Sequence, residues 1–452
     1  ALGADFLRNP WNPYLPVFAF GALIFLVWAM ACGDAWALPV AAAVATFCAQ
    51  THIAFLPLAL PLYLIGTAWL IWIATRGESR NGIRRPSRRS IVQAAIATGA
   101  VLFVMWLPPL LEQVTHSPGN ISKVIKYLRH PPPGPRHTML EGLRVVFGQF
   151  WVLPEWVKGP ARANPFSGEP PLIHRSPVPL LVLGFVLATV VLWRRRRVDT
   201  NGDERGWRLA VIIAVTLGLG VLSVARTTGA AYDYRTRWTL LVAMLATTVS
   251  VWAGWLIVAP YASLDIRRIA IFSSVVVIGA IGAIDTVAAA RAGTPQRPLS
   301  AQIDRLGEAT LKALPPGDGD VIVESPDAIA VAMSGLQLWL ERHGVHALVE
   351  PSLGLAVGDH RTYDGREDVR GVVTVASDSK ADQYSLRPDQ RLIAATNSFD
   401  VAYRQRIYAQ ITAVAEQFAQ HKLTQQQYIE RERALSLKLG HVTAVFLTRL
   451  DS

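Results

Sequence analysis

Eight stretches of this chain are apolar almost without interruption: residues 15–33, 36–50, 55–74, 91–111, 178–193, 209–225, 238–258 and 269–290. About 20 apolar residues in helical form cross a hydrocarbon layer of about 30 Å. The pattern therefore predicts an α-helical polytopic membrane domain of about eight spans, over residues 1–293. The stretch 36–50 is short for a span, and Pro39 near its start suits a first helical turn. From residue 294 onward the apolar runs shorten and charges enter between them. Helices are expected over 301–314 and 328–343, strands over 320–324, 346–349, 371–376, 391–395 and 444–447. Ile407, Ile411, Val414 and Phe418 mark one face of a further long helix. Alternating elements of this length predict a small α/β domain over 294–452, built on a partly parallel sheet.

Charge gives the spans a direction. Stretch 178–193 ends in Arg194, Arg195, Arg196 and Arg197, and such a cluster stays on the cytoplasmic side of a bilayer. Residues 76–90 carry Arg76, Arg80, Arg84, Arg85, Arg88 and Arg89 against a single Glu78, and Arg267 with Arg268 precede the last span. With all three clusters inside, the eight spans alternate without conflict. The extracytoplasmic face then holds residues 1–14, the turn at Thr51-His52, a long outer loop 112–177, residues 226–237 and the whole α/β domain. Within the outer loop, Leu140, Leu143, Val146, Phe147 and Phe150 recur at helical spacing, which predicts an amphipathic helix over 139–151 on the outer membrane surface.

The composition agrees: of 452 residues 51% are apolar and 17% charged, an unusual balance for a soluble protein. The net charge of +11 sits largely in the arginine clusters beside spans, where it orients the chain, so nucleic acid is not an expected partner. Cys32 and Cys48 lie in apolar segments and read as small core residues. The chain starts at Ala1 with no basic region leading into an apolar signal segment, so further spans are expected upstream.

Candidate chemistry is densest at residues 226–238, where Arg226, Arg235 and Arg237 stand with Tyr232, Asp233, Tyr234 and Trp238. These arginines lie on a face where orientation asks for no positive charge. A guanidinium fork suits a lipid phosphate, and the aromatic rings suit the headgroup layer. The competing reading is an interfacial girdle with Asp233 paired to a neighbouring arginine. His52 sits where two spans meet on the same face and reads either as a structural donor or as an acid or base. Asn9 and Asn12, in Asn9-Pro-Trp-Asn12-Pro-Tyr14, can hydrogen-bond a sugar or cap the helix that follows. Asp285 lies within the last span, and Glu112 lies at an outer span end. His130 and His137 match no metal-ligand spacing, and Asn120-Ile-Ser122 fits a glycosylation sequon. There is no phosphate-binding glycine loop, nucleophile elbow or paired-cysteine site. No cofactor is identified, and a divalent metal is left open.

The stretch Asn9-Pro-Trp-Asn-Pro-Tyr14 leading into the first span, Gln50-Thr-His52 after the second, and Leu336-Gln-Leu-Trp-Leu-Glu-Arg-His-Gly344-Val in the C-terminal domain resemble the bacterial branch of the GT-C glycosyltransferases, related to protein O-mannosyltransferases and the lipid A aminoarabinose transferase. The resemblance implies an inverting membrane glycosyltransferase of the bacterial plasma membrane. Its donor would be a polyprenyl-phosphate sugar, and its acceptor an extracytoplasmic glycan, lipid or protein. It also implies an acidic base in the first extracytoplasmic loop, between two spans that are expected upstream of Ala1, so no numbered residue here inherits that role. By chemistry, Arg226, Arg235 and Arg237 are expected to stabilise the leaving phosphate, with Tyr234, Asn9 and Asn12 as further binding residues. Asp233 and His52 are expected as polar partners and as the catalytic candidates. The alternatives are a non-catalytic membrane scaffold that presents the C-terminal domain, and a lipid or sugar transporter of the cell envelope.

Overall fold

The computed structural model describes residues 6, 9–76, 83, 85–116, 118–131, 134, 136–148, 150, 180–196, 203–229, 232–293, 296–327, 331–397, 399–420 and 422–448. It divides into two compact units, Ala1–Thr294 and Pro295–Ser452.

The first unit is helical. Its long elements are α1 (Leu15–Ala31), α2 (Ala37–Thr51), α3 (Leu56–Arg76), α4 (Arg88–Thr115), α7 (Leu180–Arg195), α8 (Asp203–Ala225), α9 (Trp238–Val258) and α10 (Leu264–Arg291), with the shorter α5 (Asn120–Arg129) and α6 (Met139–Phe147) between α4 and α7. Each of the eight apolar stretches thus falls on a helix. Among the described residues, five helices are long and apolar enough to cross a membrane, namely α3, α4, α8, α9 and α10, whereas α1 and α2 are apolar but shorter. The described part of α7 has 16 residues, and Val178, where that span was expected to begin, lies outside the described residues.

The ends of these helices have local causes. Ser87 Oγ accepts the Ser90 amide and starts α4 three residues before the apolar run begins. Ser263 caps α10 in the same way, so Arg267 and Arg268 lie on the helix rather than in a loop before it. Inside the bundle α1 is the hub: it packs against α2, α3, α8 and α9. Val17, Phe20, Leu23, Ile24, Val27 and Met30 lose all solvent exposure. Glycine provides the notches: a Cβ on Gly220 of α8 would lie 2.1 Å from Trp238 Cη2, so only glycine admits that indole. By contrast α10 buries none of its residues.

Helix α6 corrects an expectation. It ends at Phe147, and Trp151 lies outside the described residues. Its buried residues are Gly142, Val145 and Val146, packed on α8, while Leu140 and Leu143 are exposed. The face packed on α8 shares only Val146 with the apolar row read from the sequence, because Gly142 counts as nothing in an apolar pattern. Yet a Cβ there would sit 2.6 Å from the Val221 carbonyl, so that glycine is the closest point of contact.

The second unit holds a five-stranded mixed sheet of order β2-β1-β3-β5-β4, with β1 Asp320–Glu324, β2 Ala347–Leu348, β3 Val369–Ser377, β4 Gln390–Ala395 and β5 Thr443–Thr448. Strands β1, β2 and β3 run parallel, while β5 is antiparallel to both β3 and β4. Side chains alternate across β5: Val445 and Leu447 join the core under α11 (Arg297–Ala313) and α12 (Val331–Arg342), and Ala444 and Phe446 join a second cluster on the opposite face. The unit also holds α13 (Asp378–Ser385), α14 (Val401–Ala419) and α15 (Gln425–Leu439), with a single helical turn at Gly354–Val357. Residues 328–330, where α12 was expected to begin, lie outside the described residues. Arg404 of α14 is buried and donates Nε to Asp382 at 2.7 Å and Nη1 to the Leu439 carbonyl at 2.8 Å.

Candidate functional site

Three segments of the helical unit meet at one aromatic cluster. The first is the Asn-Pro turn before α1. Asn9 Oδ1 accepts the Trp11 amide at 3.0 Å, and the Tyr14 amide returns to the Trp11 carbonyl at 2.9 Å. This local turn fixes the Trp11 indole, which lies 5.1 Å from the Tyr14 ring and 4.9 Å from the Tyr234 ring. Asn9 therefore closes a local turn rather than capping α1, whose N-cap is Tyr14 with no side-chain cap bond, and Asn12 is exposed.

The second segment is the turn after α2. His52 ends that helix in an extended conformation, its Nδ1 accepts the Ala54 amide at 3.3 Å, and its ring stands edge-on to Tyr234 at 6.3 Å. Burial lowers its pKa below 6.5, and the Arg235 charge lowers it further. A neutral imidazole that accepts at Nδ1 carries its proton on Nε2. In this state His52 offers a hydrogen-bond donor rather than a base at that nitrogen.

The third segment follows α8. Gly229, at φ 78°, turns the chain, and a single helical turn, Asp233–Thr236, returns it to α9. Tyr232 and Tyr234 stack at 5.6 Å with an interplanar angle of 11°. The Arg235 guanidinium lies 5.3 Å from the Tyr232 ring and 5.6 Å from the Tyr234 ring, and its Nε donates to Tyr234 Oη at 3.2 Å. The two tyrosines hold the cation by its π-contacts and one hydrogen bond, and the Nη fork is the end an anion can use. Trp238 anchors the turn from below, 2% exposed and edge-on to Phe20 at 6.4 Å.

Of the residues singled out in the sequence, His52, Tyr234 and Arg235 come together. Arg237 belongs to the same turn but is buried, 7% exposed, and Arg226 is exposed at the end of α8. The Asp233 side chain lies outside what is described. Asp285 is exposed on α10. Glu112 accepts the Asn120 amide, which accounts for its place at the end of α4. Among the described residues, no group of three or more His, Cys, Asp or Glu side chains could hold a metal ion.

Sequence reasoning passed over two parts. Trp11 was masked by the asparagines on either side, although an indole between two Asn-Pro steps is itself a signal for a placed ring. The other is a strap from the outer loop. Arg136 bridges to Thr228, and His137 Nε2 donates to the Gly229 carbonyl at 2.8 Å while its Nδ1 lies 3.4 Å from Glu141 Oε2. Pairing over this sequence separation leaves no local signature.

No protein-family model, curated protein or solved structure matches this chain.

Proposed function

We propose that the protein is an integral membrane glycosyltransferase, with about eight spans, whose aromatic-arginine cluster binds the phosphate of a polyprenyl-phosphate sugar on the extracytoplasmic side. The observation that carries this reading is Arg235, held against two stacked tyrosines at the end of apolar helices with His52 beside them. A lipid-borne phosphate reaches that depth while its tail stays among the helices, which a water-borne anion has no reason to do.

In the transfer, an acceptor hydroxyl oxygen forms a bond to the sugar's anomeric carbon from the face opposite the phosphate. The carbon–oxygen bond to phosphate breaks, and its electron pair leaves on the phosphate. The acceptor proton passes to a carboxylate base that the family resemblance places in an outer loop. Arg235 Nη and the His52 Nε2 proton then act as donors to the leaving oxygen, where negative charge grows. Arg226 supplies a further cation on the same turn.

The test is Arg235→Gln in proteoliposomes, with polyprenyl-phosphate affinity and sugar transfer both measured. A charge-assisted hydrogen bond of about 1.5–3 kcal/mol predicts an affinity loss of about 10- to 100-fold. Unchanged affinity in both Arg235→Gln and Arg226→Gln sinks the reading. Binding that depends on Arg235 without any sugar transfer favours the transporter or scaffold alternative.

A further inference from the structure

Helix α5 has an order that the reading above does not use. Ile121, Val124, Ile125 and Leu128 recur at i, i+3, i+4 and i+7, so they form one row along it, while Ser122, Lys123, Lys126 and Arg129 occupy the opposite arc. None of its residues is buried, and Val124, Ile125 and Leu128 are 37%, 43% and 56% exposed. The helix carries three cations and no acid.

Its position is fixed at one end. Glu112 Oε2 accepts the Asn120 amide at 2.8 Å, Gln113 Oε1 accepts the Ser122 amide at 3.0 Å, and Gln113 Nε2 donates to Ser122 Oγ at 2.8 Å. A Cβ on Gly119 would sit 2.6 Å from the Gln113 Cα, so the two backbones touch. Glu112 and Gln113 belong to the last turn of α4, a 28-residue apolar helix. At 1.5 Å per residue α4 is about 42 Å long, enough to cross the hydrocarbon and end among headgroups. The clamp therefore holds the start of α5 at headgroup level, at the end of α4 away from Arg88 and Arg89.

We infer that α5 lies in the membrane interface as a binding surface for anionic lipid, with the Ile121, Val124, Ile125 and Leu128 row in the acyl layer and Lys123, Lys126 and Arg129 on lipid phosphates. Two features select a lipid surface over a protein partner: the clamp to a membrane-length helix, and three cations unbalanced by any acid on the same helix. Exposed basic amphipathic helices bind membranes through this pairing of apolar area and charge. The inference is independent of the sugar-transfer reading, since it uses no residue of the aromatic cluster.

The test uses the full chain with Cys32→Ala and Cys48→Ala, carrying a nitroxide at Leu128→Cys or Lys126→Cys, in nanodiscs. The expected result is that the label at position 128 collides more with oxygen than with a water-soluble nickel complex, and that position 126 shows the reverse. A label at 128 open to nickel overturns the inference, and so does one shielded from both reagents, because a protein surface would then cover the row. In parallel, the chain with Lys123→Gln, Lys126→Gln and Arg129→Gln is titrated with fluorescent phosphatidylglycerol. At about fivefold per charge, the triple substitution should weaken binding at least tenfold and flatten its salt dependence. Equal affinity for phosphatidylglycerol and phosphatidylcholine in the parent chain overturns the headgroup assignment. Unchanged helicity by circular dichroism separates these outcomes from misfolding.

Discussion

In the sheet unit, Val373, Val375, Val445 and Phe446 are buried because water is the alternative to the core. In the helical unit, Phe20, Leu23 and Val27 are buried as completely, but their alternative is lipid, which is as apolar as they are. The same burial therefore has two energetic meanings. In the sheet it supplies the driving force. In the bundle it supplies fit, and the notches cut by Gly21, Gly66 and Gly220 decide which helices meet.

The largest expected effect tests that contrast directly. Phe446→Ala removes a fully buried ring and should destabilise the sheet unit by about 3–5 kcal/mol, read by denaturant unfolding. Phe20→Ala, matched for burial, should have a clearly smaller effect when unfolding is measured in a bilayer. Equal losses would mean that the interior of the bundle is not exchanged against lipid, and the contrast would fail.

Gly220→Ala reverses the order. No apolar area is lost, but the new methyl meets Trp238, and overpacking of this kind costs about 1–3 kcal/mol. Thermal inactivation of the solubilised protein should show the loss, and Trp238→Phe in the same chain should restore part of it, since the conflicting atoms all belong to the indole's six-membered ring. Because Trp238 anchors the aromatic cluster, the proposed function further predicts that affinity for polyprenyl phosphate falls along with stability.

How much of this was legible beforehand follows from the same two solvents. Lipid requires long apolar runs, so the eight long apolar helices of the first unit could be read from the chain, and the strands of the sheet unit were read within two residues at each end. The turn from Arg226 to Trp238 stood out because its arginines lie where orientation needs none. What could not be read is tertiary: the tilted contact of Trp11 with Tyr234, the strap from Arg136 and His137 to the arginine turn, and the contact face of α6 set by Gly142. Helix α5 was overlooked for another reason. Its row at i, i+3, i+4 and i+7 is plain in the sequence but spans only 10 residues, too short to stand out beside membrane-length apolar runs.

The titration of His52 sharpens the site half of the comparison. Its pKa is held below 6.5 by burial and then by Arg235, so above pH 6.5 the ring is neutral in folded and unfolded chains alike. As pH falls below 6.5 the unfolded chain takes up the proton first, and stability is lost until the folded ring titrates. Arg235→Gln should raise the folded value toward 6.5 without restoring it fully, because burial is the larger cause. Nuclear magnetic resonance of ring-labelled histidine reads this; a value unmoved by Arg235→Gln would separate the two side chains and weaken the proposal that they share an anion.

The smallest effect concerns the strap. Thr138 and Glu141 form a reciprocal cap at the start of α6: Thr138 Oγ1 accepts the Glu141 amide and Glu141 Oε2 accepts the Thr138 amide. Thr138→Ala should loosen this helix by about 1 kcal/mol, seen as faster amide exchange over residues 139–147 with the sheet unit unchanged. The Thr138 amide, and after it the neighbouring His137, hold the Glu141 carboxylate below its usual value of 4.5. A depressed carboxylate stabilises the fold fully above pH 4.5, and that contribution disappears as pH falls through the folded value. Glu141→Gln keeps an oxygen for the cap but cannot be protonated in this range, so it should remove the acid sensitivity of exchange while leaving the rate at neutral pH nearly unchanged. Since His137 also holds Gly229, the same experiment reports whether the strap and the arginine turn open together: correlated exchange at Thr228 and Gly229 joins the outer loop to the site, and independent exchange leaves the strap a local feature of α6.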